Sequence, residues 1–379
     1  MRWLLFALGA VLVCGLEFDE DLARRFGVAE STIAKRPSKF TPECDFDDNE
    51  DDFFNQFHPY DEVVKFMRKL AASYPNRAKL VEIGRSGAGH LPIYAMEVKG
   101  KTEGVVLALA GIHGREWTSI AATLFALKEL VSSSPSSAVH VVPIANPDGY
   151  VTTFSSGSHS KEKFAKGELV KEASIPNRYY RKNGRGVDLN RNFPGHWGND
   201  TKTKSLRLPG SDVYQGPFPS SEPEIQALEH YANRVIDRLV GVIDFHCCMG
   251  AVLAPVLTGQ SALVGERNHL AGLSIVKALS RAGKGVTKTV KNGDGLPGQY
   301  EWRPRESKDR GAGLSSTWAF HTLAVDLAYV VELRGKFVAP CFEIKQLGKE
   351  AWFGLESLLN EANKQPILTL AQRQLEEEK

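Results

Sequence analysis

Cysteine is scarce in this chain, and so are long apolar runs and any excess of one charge. Five cysteines in 379 residues are too few for a fold built on disulfides. Beyond the amino terminus, no segment approaches the roughly 20 apolar residues that a transmembrane helix needs, so stable membrane insertion is not expected. The 47 basic and 45 acidic residues nearly cancel, which argues against a nucleic-acid partner. What remains is a globular chain with enough length for a large α/β core.

Residues 1–15 have the layout of a secretory signal peptide. Arg2 precedes an apolar run that ends at Val13, and small residues follow before an acidic segment. The pattern predicts cleavage near Gly15 and a secreted or extracellular protein, or one in the lumen of the secretory or vacuolar system. Lipid attachment through Cys14 is the alternative, but Val13 stands where a small residue is expected.

The rest of the chain divides into three parts. Residues 16–57 are acidic, with interleaved aromatic residues and no clear period, which predicts a surface arm or a short pro-region. Residues 58–362 are predicted to form a single domain, and residues 363–379 a polar tail. Within the domain, strand and helix patterns alternate, as is typical of α/β layering around one sheet.

The pattern of apolar residues predicts the strands and helices of this domain. Strands are predicted at AKLVEIGRS, LPIYAMEVK, GVVLALAGIHG, AVHVVPIANPDGY, RLVGVIDFHCC and AYVVELRG. Helices are predicted at PYDEVVKFMRKLAASYP, WTSIAATLFALKELV and SEPEIQALEHYANRVI, and near residues 261–282 and 343–362.

Two histidines and a glutamate follow buried strands in this pattern. His113 and Glu116 lie between the strand GVVLALAGIHG and the next helix, and His246 ends the strand VGVIDFH. Open α/β sheets place ligands at the carboxyl ends of their strands, so the fold can bring these three residues together. Two imidazoles, one carboxylate and an open position form the ligand set of a catalytic zinc site. The sequence therefore predicts one Zn²⁺ per chain, held by His113, Glu116 and His246.

Charged residues elsewhere suit chemistry beside such a metal. Arg181, Arg185 and Arg191 converge in the segment YYRKNGRGVDLNRNFPG. Fixed guanidinium groups bind carboxylates through paired hydrogen bonds, and one near a metal can stabilise an oxyanion. Glu332 is a lone acid in the apolar strand YVVELRG, where a carboxylate is costly unless it is paired or used. Near a metal, Glu332 can take a proton from water.

Five ordered motifs carry a family resemblance. GIHGREW, NPDGY, GVDLNRNF, FH at residues 245–246 and ELR at residues 332–334 are similar to motifs of the zinc metallocarboxypeptidases related to pancreatic carboxypeptidases A and B. The resemblance spans residues 57–362. It implies a mixed sheet of eight twisted strands between helices, and an enzyme that hydrolyses the C-terminal peptide bond of peptides or proteins; with the signal-peptide pattern, a secreted enzyme is expected.

The resemblance also implies catalytic roles. The three predicted ligands bind zinc, and Glu332 is the general base that activates the zinc water and then protonates the leaving amine. Asn190 and Arg191 grip the terminal carboxylate of the substrate, which makes the enzyme an exopeptidase. Arg181 polarises the scissile carbonyl, with Arg185 as the alternative because the loop between RKN and GVDLN is shorter here than in the pancreatic enzymes.

Three further residues have implied places around the site. Arg115 lines it one residue further along the substrate, and Asp188 orients His113 from behind the imidazole ring. Ser316 holds the position that governs the side-chain pocket, which is apolar in A-type enzymes and acidic in B-type enzymes. A small neutral residue there argues against a strong preference for a C-terminal Lys or Arg.

The chain also departs from the family pattern. The capping tyrosine of the pancreatic enzymes falls on Asp309, and the nearest upstream tyrosine is Tyr300. Cys247 and Cys248 replace the usual Ser-Tyr after His246, and we interpret them as packed neighbours, with metal binding or oxidation as the alternatives. How these cysteines, Cys44 and Cys341 pair is left open by the sequence.

Two other functions fit the same motifs. One is a related zinc amidase or peptidase acting on cell-wall-type peptides, and the other is a catalytically silent zinc-binding relative. The retained Glu332, Asn190 and Arg191 favour an enzyme over a binding protein. The expected partners are peptide or protein C-termini, and a monomer is expected.

Overall fold

The computed structural model describes residues 53–159, 162–165, 168–171, 174–199, 203–257, 262–284, 299–306 and 312–364. The predicted signal peptide, most of the predicted acidic arm and nearly all of the predicted tail lie outside these ranges. The strands are β1 Ala78–Arg85, β2 Pro92–Val98, β3 Thr102–Ala110, β4 Ser137–Val142, β5 Ser158–His159, β6 Glu162–Ala165, β7 Glu168–Lys171, β8 Ile175–Pro176, β9 Leu239–Cys247, β10 Ala251–Leu257, β11 Glu301–Glu306 and β12 Ala328–Leu333. The helices are α1 Tyr60–Ser73, α2 Trp117–Ser132, α3 Pro147–Phe154, α4 Pro223–Asn233, α5 Ala262–Ala282, α6 Ser315–His321 and α7 Ile344–Ala362.

Eight strands form one mixed sheet in the order β1-β2-β4-β3-β9-β12-β10-β11. The central strands β4, β3, β9 and β12 run parallel to one another, while β1, β2 and β10 make the antiparallel pairings. Parallel strands covered on both faces carry continuous apolar runs, and all nine residues of β9 are buried. The eight-stranded mixed sheet between helices is confirmed.

Two strands of this sheet, β10 and β11, were not predicted from the apolar pattern. Pro255 interrupts β10, and the register between β10 and β11 shifts between Leu253 and Val256, where a proline is tolerated because the ladder is already broken. The edge strand β11, EWRPRE, is charged and also contains a proline. The proline splits the apolar run AVLAPVL of β10, and β11 has no apolar pattern.

The core lies on both faces of the sheet. Alternate residues of β3 point to opposite faces, so Val106 and Ala108 pack with α1, α2, α5 and α7, whereas Val105 and Leu107 pack with α4 and α6. Phe54 and Phe57, from the end of the predicted acidic arm, are buried on the first of these faces. In the part of the chain that the structure describes, no helix combines the length and apolarity that a membrane span requires.

This topology brings the predicted site residues to one edge of the sheet. His113 and Glu116 occupy the turn between β3 and α2, and His246 is the penultimate residue of β9. Glu332 is the penultimate residue of β12, and it is the direct register partner of His246 on the neighbouring parallel strand. Three adjacent strands therefore end beside one another with their functional residues at the same edge.

Candidate metal centre and substrate site

A sharp turn after β3 presents the first two predicted ligands. Gly111 has a φ of 66°, in the left-handed region that glycine tolerates. A Cβ at Gly111 would meet the carbonyl oxygen of Pro143 at 2.9 Å, and one at Gly114 would lie 2.4 Å from the carbonyl carbon of Gly149. The two glycines of GIHG therefore allow the turn to press against the backbone at Pro143 and at Gly149 of the NPDGY segment.

Asn146 of NPDGY fixes this turn from the other side. Its Nδ2 donates to the carbonyl oxygens of Ile112 and Lys182 at 3.0 and 3.1 Å. Its Oδ1 accepts from the backbone N–H of Gly149 at 2.8 Å and so caps α3. The NPDGY motif thus connects the metal-ligand turn to the loop that carries Arg181.

Replacing Gly114 with Ala should lower the free energy of unfolding by about 1–3 kcal/mol, the usual cost of overpacking. The added Cβ would collide with backbone atoms of Gly149, which cannot rotate away as a flexible side chain would. Urea denaturation measures the change. Gly241→Ala in β9 is the matched control, because a Cβ there meets nothing closer than 3.5 Å. Equal losses in the two variants would contradict the close-approach argument.

His113, Glu116 and His246 converge in a buried cluster. Their candidate ligand atoms all lie within 4.8 Å of one another. The Nδ1 atom of His113 is 2.7 Å from Oε1 of Glu116, and the Nδ1 atom of His246 is 3.1 Å from Oε2 of the same carboxylate. The structure therefore brings together the three residues predicted as metal ligands.

Each imidazole has a second carboxylate behind it. The Nε2 atom of His113 is 3.1 Å from Oδ1 of Asp188, and the Nε2 atom of His246 is 2.8 Å from Oδ2 of Asp244. A metal-bound imidazole carries its hydrogen on the nitrogen that faces away from the metal. With a metal on the Glu116 side, the hydrogen of each imidazole therefore lies on Nε2, where Asp188 or Asp244 accepts it.

The cluster fits a divalent zinc ion in distance and in charge. Two nitrogens bound tetrahedrally at the usual zinc distances lie about 3.3 Å apart, and the two Nδ1 atoms are 3.2 Å apart. With neutral imidazoles, the three buried carboxylates and the Arg181 guanidinium leave two net negative charges. Such a charge is costly in a protein interior unless a cation balances it. A divalent cation between the Nδ1 atoms and Glu116 satisfies both requirements.

Arg181 lies at the edge of this cluster. Its Nε and Nη2 donate to Oδ2 of Asp188 at 3.0 and 2.9 Å, and its Nη1 is 3.4 Å from Nδ1 of His113. Burial alone raises the pKa of Asp188, but Arg181 and the hydrogen bond with His113 bring that pKa well below its ordinary value. Asp188 therefore stays ionised between the histidine and the arginine.

Arg185, the alternative to Arg181, points elsewhere. Its Nε donates to the carbonyl oxygen of Gly87 at 3.3 Å, in the turn between β1 and β2. Asn183 organises the loop between the two arginines, because its Oδ1 accepts from the backbone N–H groups of Arg185 and Val187. The described contacts thus bring Arg181, and not Arg185, next to His113.

The predicted carboxylate-binding residues adjoin the second ligand. The Nδ2 atom of Asn190 lies 3.3 Å from Nε2 of His246, and its Oδ1 accepts from the backbone N–H of Ser315 at 3.0 Å. Nη1 of Arg191 donates to the carbonyl oxygen of Asn190 at 2.6 Å. Both residues lie in the short helical turn Leu189–Arg191, directly after Asp188.

A profile of the zinc carboxypeptidase family matches residues 63–354. The chain belongs to the zinc carboxypeptidase family. The resemblance found in the five motifs is therefore confirmed, and the protein is a hydrolase of the metallocarboxypeptidase class. The family is zinc-dependent, in agreement with the donor set of the cluster.

Individual similar proteins have names of the same family. Zinc carboxypeptidase A 1 of Anopheles gambiae is 27% identical over 326 residues, which cover 82% of this chain and 69% of that protein. Inactive metallocarboxypeptidase ECM14 of Arthroderma otae is 23% identical over 366 residues, which cover 85% of this chain and 58% of that protein. The crystal structure of carboxypeptidase A from Helicoverpa armigera aligns with a TM-score of 0.66 and 26% identity, covering 82% of this chain and 74% of that one.

Arg115 and Ser316 are the remaining predicted residues of this zinc carboxypeptidase. Arg115 is adjacent in sequence to Glu116, with Nη1 3.5 Å from Oδ2 of Asp212 and its guanidinium 4.5 Å above the Phe337 ring. Burial, together with the nearby charge of Arg181, lowers the pKa of Arg115. Ser316 is fully buried in α6, and within the described residues its Oγ has no hydrogen-bond partner.

Two of the departures from the family pattern, Tyr300 and the Cys247–Cys248 pair, lie in described residues. Tyr300 is not placed as a cap, because it is buried and its hydroxyl donates to Oε2 of Glu350 at 2.6 Å. Asp309 lies outside the described residues. Cys247 and Cys248 form a disulfide with each other, so the interpretation as unreacted packed neighbours was wrong. The backbone N–H of Cys247 also donates to Oε2 of Glu116 at 3.3 Å.

Asp244 is a residue of this site that the sequence argument missed. The signal was present, because Asp244 is a lone acid in the buried apolar strand VGVIDFH, just as Glu332 is in YVVELRG. Its position two residues before His246 also places both side chains on one face of β9. The same reasoning about costly buried acids that singled out Glu332 applies to it.

Proposed function

We propose that this protein is a secreted zinc-dependent carboxypeptidase that removes single residues from peptide or protein C-termini. The observation that carries the proposal is the proximity of Asn190 to the metal cluster, 3.3 Å from His246. A group that binds a terminal carboxylate beside a group that binds a metal fixes the distance from chain end to scissile bond. Secretion rests on the signal-like pattern of residues 1–15.

Each of the proposed residues has its own role in the reaction. Asn190 and Arg191 hold the terminal carboxylate, and Arg181 donates hydrogen bonds to the carbonyl oxygen as it gains negative charge. Glu332 accepts a proton from the attacking water and returns it to the leaving amine. One zinc ion per chain, held by His113, Glu116 and His246, supplies Lewis-acid chemistry at the scissile carbonyl.

Specificity and assembly follow from the same residues. Ser316 is small and neutral, so the proposed side-chain pocket lacks the acid that would select a C-terminal Lys or Arg at this position. The proposed set of zinc ligands, general base and arginines requires no residue from a second copy of the chain, and we propose a monomeric enzyme. Arg115, whose guanidinium lies 4.5 Å from the centre of the Phe337 ring, is proposed to contact the substrate one residue further from its end.

The proposal is tested with synthetic peptides that differ only in their last residue. The purified protein is incubated with the pool, with and without a zinc chelator, and intact masses are followed over time. Chelator-sensitive loss of single C-terminal residues is the expected result, without a strong preference for Lys or Arg. No shortening by zinc-loaded protein, before and after removal of residues 16–57, would instead identify a silent relative.

A further inference from the structure

Asp244 is buried in β9 behind a proposed metal ligand. It has no solvent exposure, and its Oδ2 lies 2.8 Å from Nε2 of His246. Asp188 has the same relation to His113, across 3.1 Å. The two imidazoles thus have equivalent carboxylate partners, although only the first pair was implied by the family motifs.

Asp244 is also connected to Asn190 through Ser315. Its Oδ2 accepts from Oγ of Ser315 at 2.6 Å, and the backbone N–H of Ser315 donates to Oδ1 of Asn190. The Nδ2 atom of Asn190 also lies 3.3 Å from Nε2 of His246. These contacts join β9, α6 and the Leu189–Arg191 turn, and so connect the metal ligand to the residue proposed to hold the substrate carboxylate.

A purely structural aspartate would have a different environment. Asp148 is such a residue: its carboxylate accepts from Ser86 Oγ and from the backbone N–H groups of Ala88 and Gly89, so both oxygens are used. Within the described residues, Oδ1 of Asp244 has no hydrogen-bond partner. A buried carboxylate that is satisfied on one oxygen only is costly in free energy, unless its charge acts on a nearby cation.

We propose that Asp244 is a positioning residue with two effects, which rest on the proposed zinc site. Through His246 it fixes the ring orientation and directs Nδ1 to the metal. Through Ser315 it fixes Asn190, and with it the grip on the substrate carboxylate. Its charge acts on the metal through the imidazole, as carboxylates behind zinc-bound histidines do.

Asp244→Asn should raise the Kd for Zn²⁺ by about 10- to 100-fold, the usual cost of losing such a partner. The change keeps the size of the side chain but removes its charge. The full chain is freed of metal by dialysis, and Zn²⁺ is titrated in competition with a chromogenic chelator. Asp148→Asn is the matched control, since it neutralises a buried aspartate that bonds to the β1–β2 turn: its melting temperature should fall while its Zn²⁺ Kd stays that of the wild type.

Ser315→Ala separates the two proposed effects. It leaves Asp244 beside His246 but removes the Oγ that donates to Oδ2 of Asp244. We expect KM for a peptide to rise, with a smaller change in Zn²⁺ Kd than in Asp244→Asn. If Asp244→Asn does not fold, Ser315→Ala alone tests the proposed role of Asp244. Wild-type values of both KM and Zn²⁺ Kd in Ser315→Ala would then refute the proposal.

Two outcomes of the titration overturn the assignment. The first is a wild-type Zn²⁺ Kd in folded Asp244→Asn. The second is an equal rise in Asp148→Asn, which would mean that any loosening of the fold weakens the site. Failure of the wild-type protein itself to bind Zn²⁺ would instead contradict the proposed function, so the two failures are distinguishable.

Discussion

Glu332→Gln should lower kcat by about 10²–10⁴-fold, the contribution of a positioned general base. The amide has the size of the carboxylate but cannot accept the proton of the attacking water. Glu332 is the register partner of His246 on the adjacent strand and does not belong to the cluster of three candidate ligands. Zinc content should therefore remain near one per chain, measured by elemental analysis of the same preparation.

The control for this variant is Glu97→Gln. Glu97 is an acid of strand β2 in the same sheet, and it accepts a hydrogen bond from the Tyr231 hydroxyl at 3.0 Å. It is not part of the proposed machinery, so kcat should stay within the range of the wild type. Loss of zinc from Glu332→Gln would show that Glu332 acts on the metal and not on the proton.

Arg181→Ala should lower kcat by about 10²–10³-fold, the usual effect of removing one oxyanion donor. Arg185→Ala, a change of the same kind four residues later, should leave kcat nearly unchanged. The reason is their geometry, because Arg181 reaches to 3.4 Å from His113 whereas Arg185 donates to the Gly87 carbonyl. Steady-state kinetics on one peptide compares the two variants directly.

Arg181 also pairs with Asp188, and this second role needs its own control. Arg181→Lys keeps a positive charge near Asp188 but loses the paired hydrogen bonds of the guanidinium. We expect it to retain zinc and to recover only part of kcat. If Arg185→Ala shows the larger loss, the assignment of the carbonyl-polarising role is reversed.

The centre of the fold and the metal cluster were predictable from the sequence. The strands β3, β9 and β12 are buried on both faces, so they appear as continuous apolar runs, and their carboxyl ends meet at one edge of the sheet. Any His or acid at those ends is therefore brought together. This is why His113, Glu116 and His246 could be grouped across a separation of more than a hundred residues.

Other features depend on contacts that the sequence does not display. Strands β10 and β11 could not be predicted, because Pro255 interrupts β10 and β11 is charged. Their pairing is determined by the neighbouring strands. The disulfide between Cys247 and Cys248 depends on local backbone geometry. The choice between Arg181 and Arg185 depends on how Asn183 shapes the loop, and spacing alone does not reveal this.

The central claim is that the protein is an exopeptidase that requires a free terminal carboxylate and a metal. The measurement that tests it most directly compares one peptide with its C-terminally amidated twin, incubated with zinc-loaded protein and followed by intact mass. We predict loss of one residue from the free acid and none from the amide. Equal cleavage of both peptides, or release of internal fragments, would contradict the proposed recognition by Asn190 and Arg191.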